Sequence, residues 1–335
     1  MRTLITGSAG FIGFHLARKS LADGHEVVGL DGLTDYYDVR LKHARQAILA
    51  SSPRFRAVTG MLENADLVRA VVSDFKPDLV LHFAAQAGVR YSIDHPQSYV
   101  SGNLDGTFNL LEALRAHPPA HLLVASTSSV YGAHPPGPFV EIDRTDYPLS
   151  IYAATKRGAE ALTHSYASLF GIPTTCLRLF TVYGPWGRPD MAAFKFVDAI
   201  SNGRPIEVYG EGRVSRDFTY IADVVEAVIR LSGKPPFGMP AHAHDTLSPA
   251  APWRVVNIAG GAPKPLAEFI AALEFALGRT AIKTLLPMQA GDVSATEADV
   301  SLLRALIGQV PATSITQGIA AVVDWYRTDY SRLQT

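Results

Sequence analysis

The sequence predicts an α/β protein built on a doubly wound parallel sheet, and three observations predict it. Short apolar runs alternate with longer amphipathic segments, a glycine turn follows the first run directly, and a hydroxyl cluster closes a later run. In chain order, residues 4–6, 26–30, 79–83, 121–125 and 174–180 read as strands, while 11–23, 98–116 and 152–170 read as helices. Ser150 is an N-cap candidate for the last of these. Beyond Thr181 the rhythm loosens, with Pro- and Gly-rich joints at 185–189 and 203–212, so a smaller substrate-side lobe is expected. The boundaries are residues 1–180 for a nucleotide-binding domain carrying the reacting groups and 181–335 for the lobe, with about 213–230 and 253–262 returning to the main sheet. Residues 233–252, rich in Pro, Ala and His, lack periodicity and read as a solvated loop. His242 and His244 within it have no carboxylate or Cys partner nearby, so no metal is expected.

Composition narrows the function classes. Of 335 residues 47% are hydrophobic and 18% charged, as in an ordinary globular protein, and a net charge of -1 with no basic run argues against nucleic-acid or membrane-surface partners. No apolar stretch is long enough for a membrane span, and the first residues run straight into a strand without room for a signal peptide. A cytoplasmic protein is the expectation. The single cysteine, Cys176, sits in an apolar run and reads as a core residue.

Gly7, Gly10 and Gly13, with Phe11 and Ile12 between the last two, lie between the strand ending at Thr6 and the helix from Phe11. Backbone N–H groups at such a turn can meet a pyrophosphate without Cβ interference, which is a Rossmann-type arrangement. A purely conformational turn would use the same glycines. Asp31, at the end of the second strand, stands where a carboxylate hydrogen-bonds the adenosine ribose and repels a 2′-phosphate, so NAD is expected over NADP. Its other reading is a turn cap.

Tyr152 and Lys156 share a helix face, and a cation beside a phenol can depress a pKa that otherwise lies near 10. The run Ser126-Thr127-Ser128-Ser129-Val130-Tyr131-Gly132 brings hydroxyls to the C-terminal edge of the sheet, one of which should complete the set. The G-x-x-G-x-x-G spacing, the Tyr-x-x-x-Lys pair and the strand end His82-Phe83-Ala84-Ala85-Gln86 resemble the short-chain dehydrogenase/reductase superfamily. Asn103-x-x-Gly106-Thr107, Tyr183-Gly184-Pro185 and Arg216-Asp217-Phe218-Thr219-Tyr220-Ile221-x-Asp223 resemble its extended branch, the sugar-nucleotide epimerases and dehydratases, nearly end to end. Within that branch Asp35-Tyr36-Tyr37-Asp38, Gln86-Ala87-Gly88-Val89-Arg90-Tyr91-Ser92 and the run from Arg178 through Tyr183-Gly184-Pro185-Trp186-Gly187-Arg188-Pro189-Asp190 to Met191 look most like UDP-glucuronate 4-epimerases.

That resemblance implies NAD held by Gly7, Gly10, Phe11, Ile12, Gly13, Asp31, Ala84, Ala85, Gln86, Asn103, Tyr152 and Lys156. It implies Tyr152 as the base on the sugar 4-OH, Lys156 lowering its pKa, and Thr127 as the hydroxyl on the reacting oxygen. The implied reaction interconverts UDP-glucuronate and UDP-galacturonate through a 4-keto sugar, a β-keto acid that must be kept from losing carbon dioxide. Arg188 is the first candidate to hold the carboxylate, or else it pairs with Asp190; Thr181, Ser128, Ser129 and Arg90 are the other sugar-side candidates. Related decarboxylases carry Glu at the place of Ser129 and dehydratases an Asp-Glu pair at Ser128 and Ser129, and neither acid is here. Thr181 stands where UDP-galactose 4-epimerases have Asn. Arg216 matches the phosphate-binding Arg, Arg213 is a second candidate or a plain surface ion pair, and uridine is expected along residues 195–209. After the third strand, Gly60-Met61-Leu62-Glu63 replaces the usual Gly-Asp that anchors adenine. Helices 98–116 and 152–170 are the expected faces of a homodimer. The rival readings are a UDP-glucuronate decarboxylase, another UDP-sugar 4-epimerase, or a non-catalytic NAD sensor.

Overall fold

A computed structural model describes residues 1–135, 137–288 and 293–334. Its centre is a seven-stranded parallel sheet formed by β1 (Arg2–Thr6), β2 (Glu26–Asp31), β3 (Phe55–Thr59), β4 (Leu79–His82), β5 (His121–Thr127), β6 (Thr174–Leu179) and a late strand, Trp253–Ile258. Four short strands precede that late one: β7 (Thr181–Tyr183), β8 (Ile206–Tyr209), β9 (Ser215–Arg216) and β10 (Phe218–Tyr220); the late strand is therefore β11. The order is β11-β6-β5-β4-β1-β2-β3, so the winding direction reverses between β1 and β4. In open α/β sheets that reversal leaves a crevice at the carboxyl ends of the strands, and ligands bind there. β4, β5 and β6 are buried along their whole length, as strands covered by helices on both faces must be, and they show no alternation between exposed and buried positions.

Two layers of core cover the sheet. Phe14, Leu16 and Ala17 of helix Phe11–Ala22 pack on one face with Val224 and Val228 of helix Ile221–Ser232. Val68, Val72, Leu110, Leu114 and Tyr166 pack on the other, together with Cys176. Helix Ile151–Phe170 begins at Ser150, whose hydroxyl accepts the Ala153 N–H at 3.1 Å, and ends at Gly171 in the left-handed conformation. The stretch expected as one helix over 98–116 is broken up: Pro96–Tyr99, a π-helical segment Val100–Asp105, then helix Gly106–Ala116. The widened turn carries Asn103, and such bulges are hard to read from a sequence whose apolar spacing stays helical.

The smaller lobe is made of two-stranded pairs. β10 lies parallel to β7, β9 antiparallel to β12 (Lys264–Pro265), and β8 parallel to β13 (Lys283–Leu286). Of the two segments expected to return to the main sheet, 253–262 supplies its edge strand β11, whereas 213–230 supplies none. The latter returns through helix Ile221–Ser232, which packs against helix Phe11–Ala22, while β9 and β10 pair inside the lobe.

Segment 233–252 forms no helix or strand, yet it is not a free solvated loop. Asp245 sits with Arg254 of β11 in an ion pair almost wholly out of water, Nε to Oδ1 at 2.8 Å and Nη2 to Oδ2 at 3.1 Å. Thr246 accepts the Val255 N–H and donates to the Val255 carbonyl, binding the loop to the sheet edge. A segment without periodicity can still be fixed by one buried charge pair, and no sequence pattern announces it. Asp245→Ala would strand the Arg254 guanidinium in the interior, and a loss of about 3–5 kcal/mol is expected in a urea unfolding titration.

Candidate active site

A cleft of about 1490 Å³ opens over the carboxyl ends of the strands and runs from the glycine turn into the smaller lobe. Gly7, Gly10, Phe11, Ile12 and Gly13 line one end. Here the glycines are required sterically. Gly7 has φ +75°, and a Cβ on it would lie 2.6 Å from the Ala84 backbone nitrogen; one on Gly13 would lie 2.0 Å from the Gly7 carbonyl oxygen. The turn is thus a cradle that any side chain would fill, at the N-terminus of helix Phe11–Ala22, and it fits a pyrophosphate. Asp31 lines the same end while its carboxylate accepts the Ala9 N–H and the Leu33 N–H, both at 2.9 Å. It therefore caps the turn from a place on the cleft wall.

Ala84, Ala85 and Gln86 follow β4 along the cleft wall. Asn103 does not reach the cleft surface. Its Oδ1 accepts the Gln86 N–H at 2.8 Å, and its Nδ2 donates to the Gln86 carbonyl at 3.0 Å and to Thr155 Oγ1 at 3.1 Å. Both amide protons are used, so Asn103 holds the wall in place and has no donor left for a ligand. Below it, His82 is buried between Thr6 Oγ1 at 2.7 Å and Thr107 Oγ1 at 3.0 Å. Thr107 already donates to the Asn103 carbonyl, so it accepts from His82 Nε2–H and Thr6 donates to Nδ1. Burial, with a smaller push from the Lys156 charge, lowers the His82 pKa to about 3, so this neutral tautomer is the resident one.

Tyr152 and Lys156 lie one helical turn apart and both line the cleft. Burial pushes the Tyr152 phenol above its ordinary value; a hydrogen bond from Thr127 and the Arg188 charge pull the other way. The Arg188 charge therefore acts on the phenol, a contribution that the spacing of Tyr152 and Lys156 does not announce. Lys156 is itself desolvated, its pKa lowered to about 8 chiefly by burial, with the Cys176 thiol and the Glu160 carboxylate pulling weakly the other way. Among the described residues no hydrogen bond holds its ammonium, although the residue is 4% exposed. The ammonium opens on the cleft, where a polar ligand can take it.

Thr127 caps the short helix Ser128–Tyr131, so Thr127, Ser128 and Ser129 come to the cleft together at the end of β5. Arg188 enters from the loop after β7, and Asp190 grips it through Nε at 3.0 Å and through Nη2. Tyr36 donates to the same carboxylate at 3.1 Å and lies under the guanidinium, 5.7 Å from its carbon to the ring centre. Arg188 therefore pairs with Asp190 and faces the cleft at once, so the alternatives posed by the sequence are not exclusive. Thr181 and Arg216 line the cleft, and Arg90 does so with its guanidinium 4.5 Å above the Tyr209 ring. Arg213 does not line it; it is exposed and paired with Glu211, as its plain reading had it. Lys195 and residues 204–207 and 209 form the far end, where uridine was expected. Met61 is on the wall and half open to solvent, with Glu63 beside it.

Comparison with known proteins now decides the family. The sequence profile of the NAD dependent epimerase/dehydratase family matches residues 3–242. The chain belongs to this family. It is 55% identical over its whole length to a probable UDP-glucuronate 4-epimerase of Rhizobium meliloti, covering 99% of that protein. It is 42% identical to UDP-glucuronate 4-epimerase 1 of Arabidopsis thaliana, over 98% of this chain and 77% of that one. The crystal structure of a Bacillus cereus UDP-glucuronic acid 4-epimerase with UDP-glucuronic acid and NAD superposes with a TM-score of 0.87 at 33% identity, covering 98% of this chain and 99% of that one. No helix among the described residues is long and apolar enough to cross a membrane.

Within this family member's frame three imidazoles are kept neutral by burial: His82, with a pKa near 3, and His15 and His121, each near 4. Below about pH 6.5 the unfolded chain takes up protons that these folded imidazoles refuse, so they cost stability as pH falls from 6.5 toward 4. Glu141, pushed up to about 7 by burial, acts in the opposite sense between 7 and 4.5, so the test is differential. In thermal melts across this range His82→Gln should show a shallower acid decline than the parent; parallel curves would refute the assignment.

Proposed function

We propose that this protein interconverts UDP-glucuronate and UDP-galacturonate by inverting C4 of the sugar, with NAD kept bound through the cycle. The observation that carries the reading is the pairing of a buried phenol, Tyr152, with the Thr127 hydroxyl and the Arg188 charge, in a cleft continuous with the glycine cradle and free of carboxylates at positions 128 and 129. The relatives named above support the substrate.

When bound, NAD supplies the acceptor and later the donor of the C4 hydride. Tyr152, as phenolate, takes the proton of the 4-OH and returns one after the ring has turned over in the cleft. Thr127 hydrogen-bonds the reacting oxygen, and Lys156 offers its unpartnered ammonium to the nicotinamide ribose. Gly7, Gly10, Phe11, Ile12, Gly13, Asp31, Ala84, Ala85 and Gln86 are the proposed cofactor wall, with Asn103 acting behind it. Thr181, Ser128, Ser129, Arg90 and Arg216 serve the sugar and diphosphate, and Arg188 holds the C6 carboxylate.

That last role matters chemically. Once C4 is a ketone, the C5–C6 bond can break, its electron pair passing into the C4 enolate as carbon dioxide leaves. The enolate is then protonated at C5. A guanidinium locked by Asp190 and Tyr36 can hold the carboxylate near the ketone plane, where that bond overlaps poorly with the carbonyl. Ser128 and Ser129 supply no acid to drive elimination chemistry. The proposal extends to a homodimer across helices 106–116 and 151–170, where Phe108 and Leu169 are exposed, and to a cytoplasmic location. Light scattering checks the first of these.

Incubation of the purified protein with UDP-glucuronate and no added cofactor should give UDP-galacturonate; a UDP-pentose with carbon dioxide as the main product would replace this reading with decarboxylation. Tyr152→Phe should lower turnover by about 10²–10⁴-fold with bound NAD unchanged, as read by nucleotide release and product chromatography. In Arg188→Ala the fraction of turnovers ending in carbon dioxide should rise severalfold, and an unchanged fraction would remove Arg188 from the carboxylate.

A further inference from the structure

Helix Val39–Ala50 contains an arginine, Arg45, with no surface exposure and, among the described residues, no carboxylate within ion-pair distance. Its guanidinium is satisfied by neutral oxygens drawn from three separate segments. Nη1 donates to the Ala9 carbonyl of the glycine turn at 2.9 Å and to the Tyr37 hydroxyl at 2.8 Å; Nη2 donates to the carbonyls of Trp186 at 2.6 Å and Gly187 at 3.2 Å. Nε is left without a partner. A cation buried without a counter-ion is costly, and stability alone would favour an apolar side chain of similar volume.

What the arginine holds suggests its use. Trp186 has φ +59°, in the left-handed region that a bulky side chain rarely enters, and it directly precedes Gly187 and Arg188. Its carbonyl is the one Arg45 grips most closely, while His15 Nε2 donates to the preceding carbonyl of Pro185 at 2.9 Å, since a carbonyl can only accept. Three consecutive carbonyls are thus fixed just before Arg188, which lines the same cleft as Tyr152. On the opposite side Tyr37 follows Tyr36, whose hydroxyl bonds Asp190, the partner of Arg188. Arg45 ties both supports of Arg188 to the glycine cradle.

Resting on the function proposed above, we infer that Arg45 is a positioning residue for the 4-epimerisation. It sets where the carboxylate-holding Arg188 stands relative to the cofactor cradle, and so determines how often the 4-keto acid survives to be reduced.

The test compares Arg45→Lys with the parent as full-length, NAD-bearing protein, reading fold by circular dichroism, NAD content, kcat, KM and the fraction of turnovers releasing carbon dioxide. Arg45→Lys keeps the charge and the stem but cannot span three segments with a planar fork. The expected result is retained fold and NAD content, kcat down about 10- to 100-fold with a smaller change in KM, and a raised carbon dioxide fraction. In the Arg188→Ala background the same change should have little further effect on that fraction, because both act through one group. A folded, NAD-loaded Arg45→Lys with parental kcat and product partition would overturn the inference, as would a partition effect that persists undiminished on Arg188→Ala. Should Arg45→Lys fail to fold, Arg45→Gln is read in the same way, and failure of both to yield NAD-bearing protein would make Arg45 a folding determinant and overturn the inference too. A parent that does not epimerise UDP-glucuronate would refute the functional reading and this role together, whereas an active parent with an indifferent variant refutes this role alone.

Discussion

The neutral imidazole of His82 is the constraint on which the cleft depends. Each of its hydroxyl neighbours has a single proton to give, and Thr107 gives its proton to the Asn103 carbonyl, so the whole chain runs one way from Thr6 to the π-helical segment. Thr6 Oγ1, having donated, accepts the Ala84 N–H at 3.2 Å, which turns the chain after β4 past the glycine turn. Asn103, presented by the widened helical turn, then fixes Gln86 through both backbone groups. A protonated His82 would need an acceptor where Thr6 now donates, and the run of directions would break at its first link. Strands β1 and β4, the pair at the winding reversal, are therefore joined above their backbone ladder by side chains that also place the wall of the cofactor end.

How much of this could be read beforehand depended on distance along the chain. The glycine turn, Tyr152 with Lys156, and the Ser126–Gly132 hydroxyl run are local patterns, and local geometry brings each to the cleft. Asp31 was legible for the same reason: the end of a second strand beside a first-strand turn is a fixed place in a parallel sheet. Asn103 was found through its motif, but its task was not, because the π-helical widening that turns it to Gln86 leaves no mark in residue spacing. The sequence singled out Arg216 by its motif and left Arg213 open; a positive-φ Glu211 and the tight 210–212 turn carry Arg213 outward while β9 carries Arg216 to the cleft. Arg45 and Asp245 gave no signal at all. A buried charge is recognisable only by its partners, and theirs lie in distant segments.

The electrostatics of the reacting end also differ from what spacing suggests. A lysine four residues from a tyrosine on a helix invites the view that the two charges act on each other. Here burial is the largest influence on each group, Glu160 lies near enough to favour the ammonium, and the phenol responds to Thr127 and Arg188. Burial resists ionisation of both groups, but the signs differ: it raises the phenol pKa and lowers that of the ammonium. Burial thus works against the phenolate that the reaction needs, and the Thr127 hydrogen bond and the Arg188 charge offset part of that cost.

Arg188 then has two duties that reinforce one another. Its charge lies near enough to lower the phenol's cost of ionising, and the same guanidinium is the cation best placed for an acidic sugar substituent. Asp190 prevents it from moving freely toward either, since a guanidinium gripped through Nε and Nη2 keeps its plane and leaves only one edge for a ligand. On the reading proposed above, a neutral hexose would leave that edge without an anionic partner, whereas a uronate would fill it. Selectivity for a uronate would then rest on the same fixed cation that assists the phenol. The carboxylate at position 190, which at first sight competes with substrate, is what makes the cation directional.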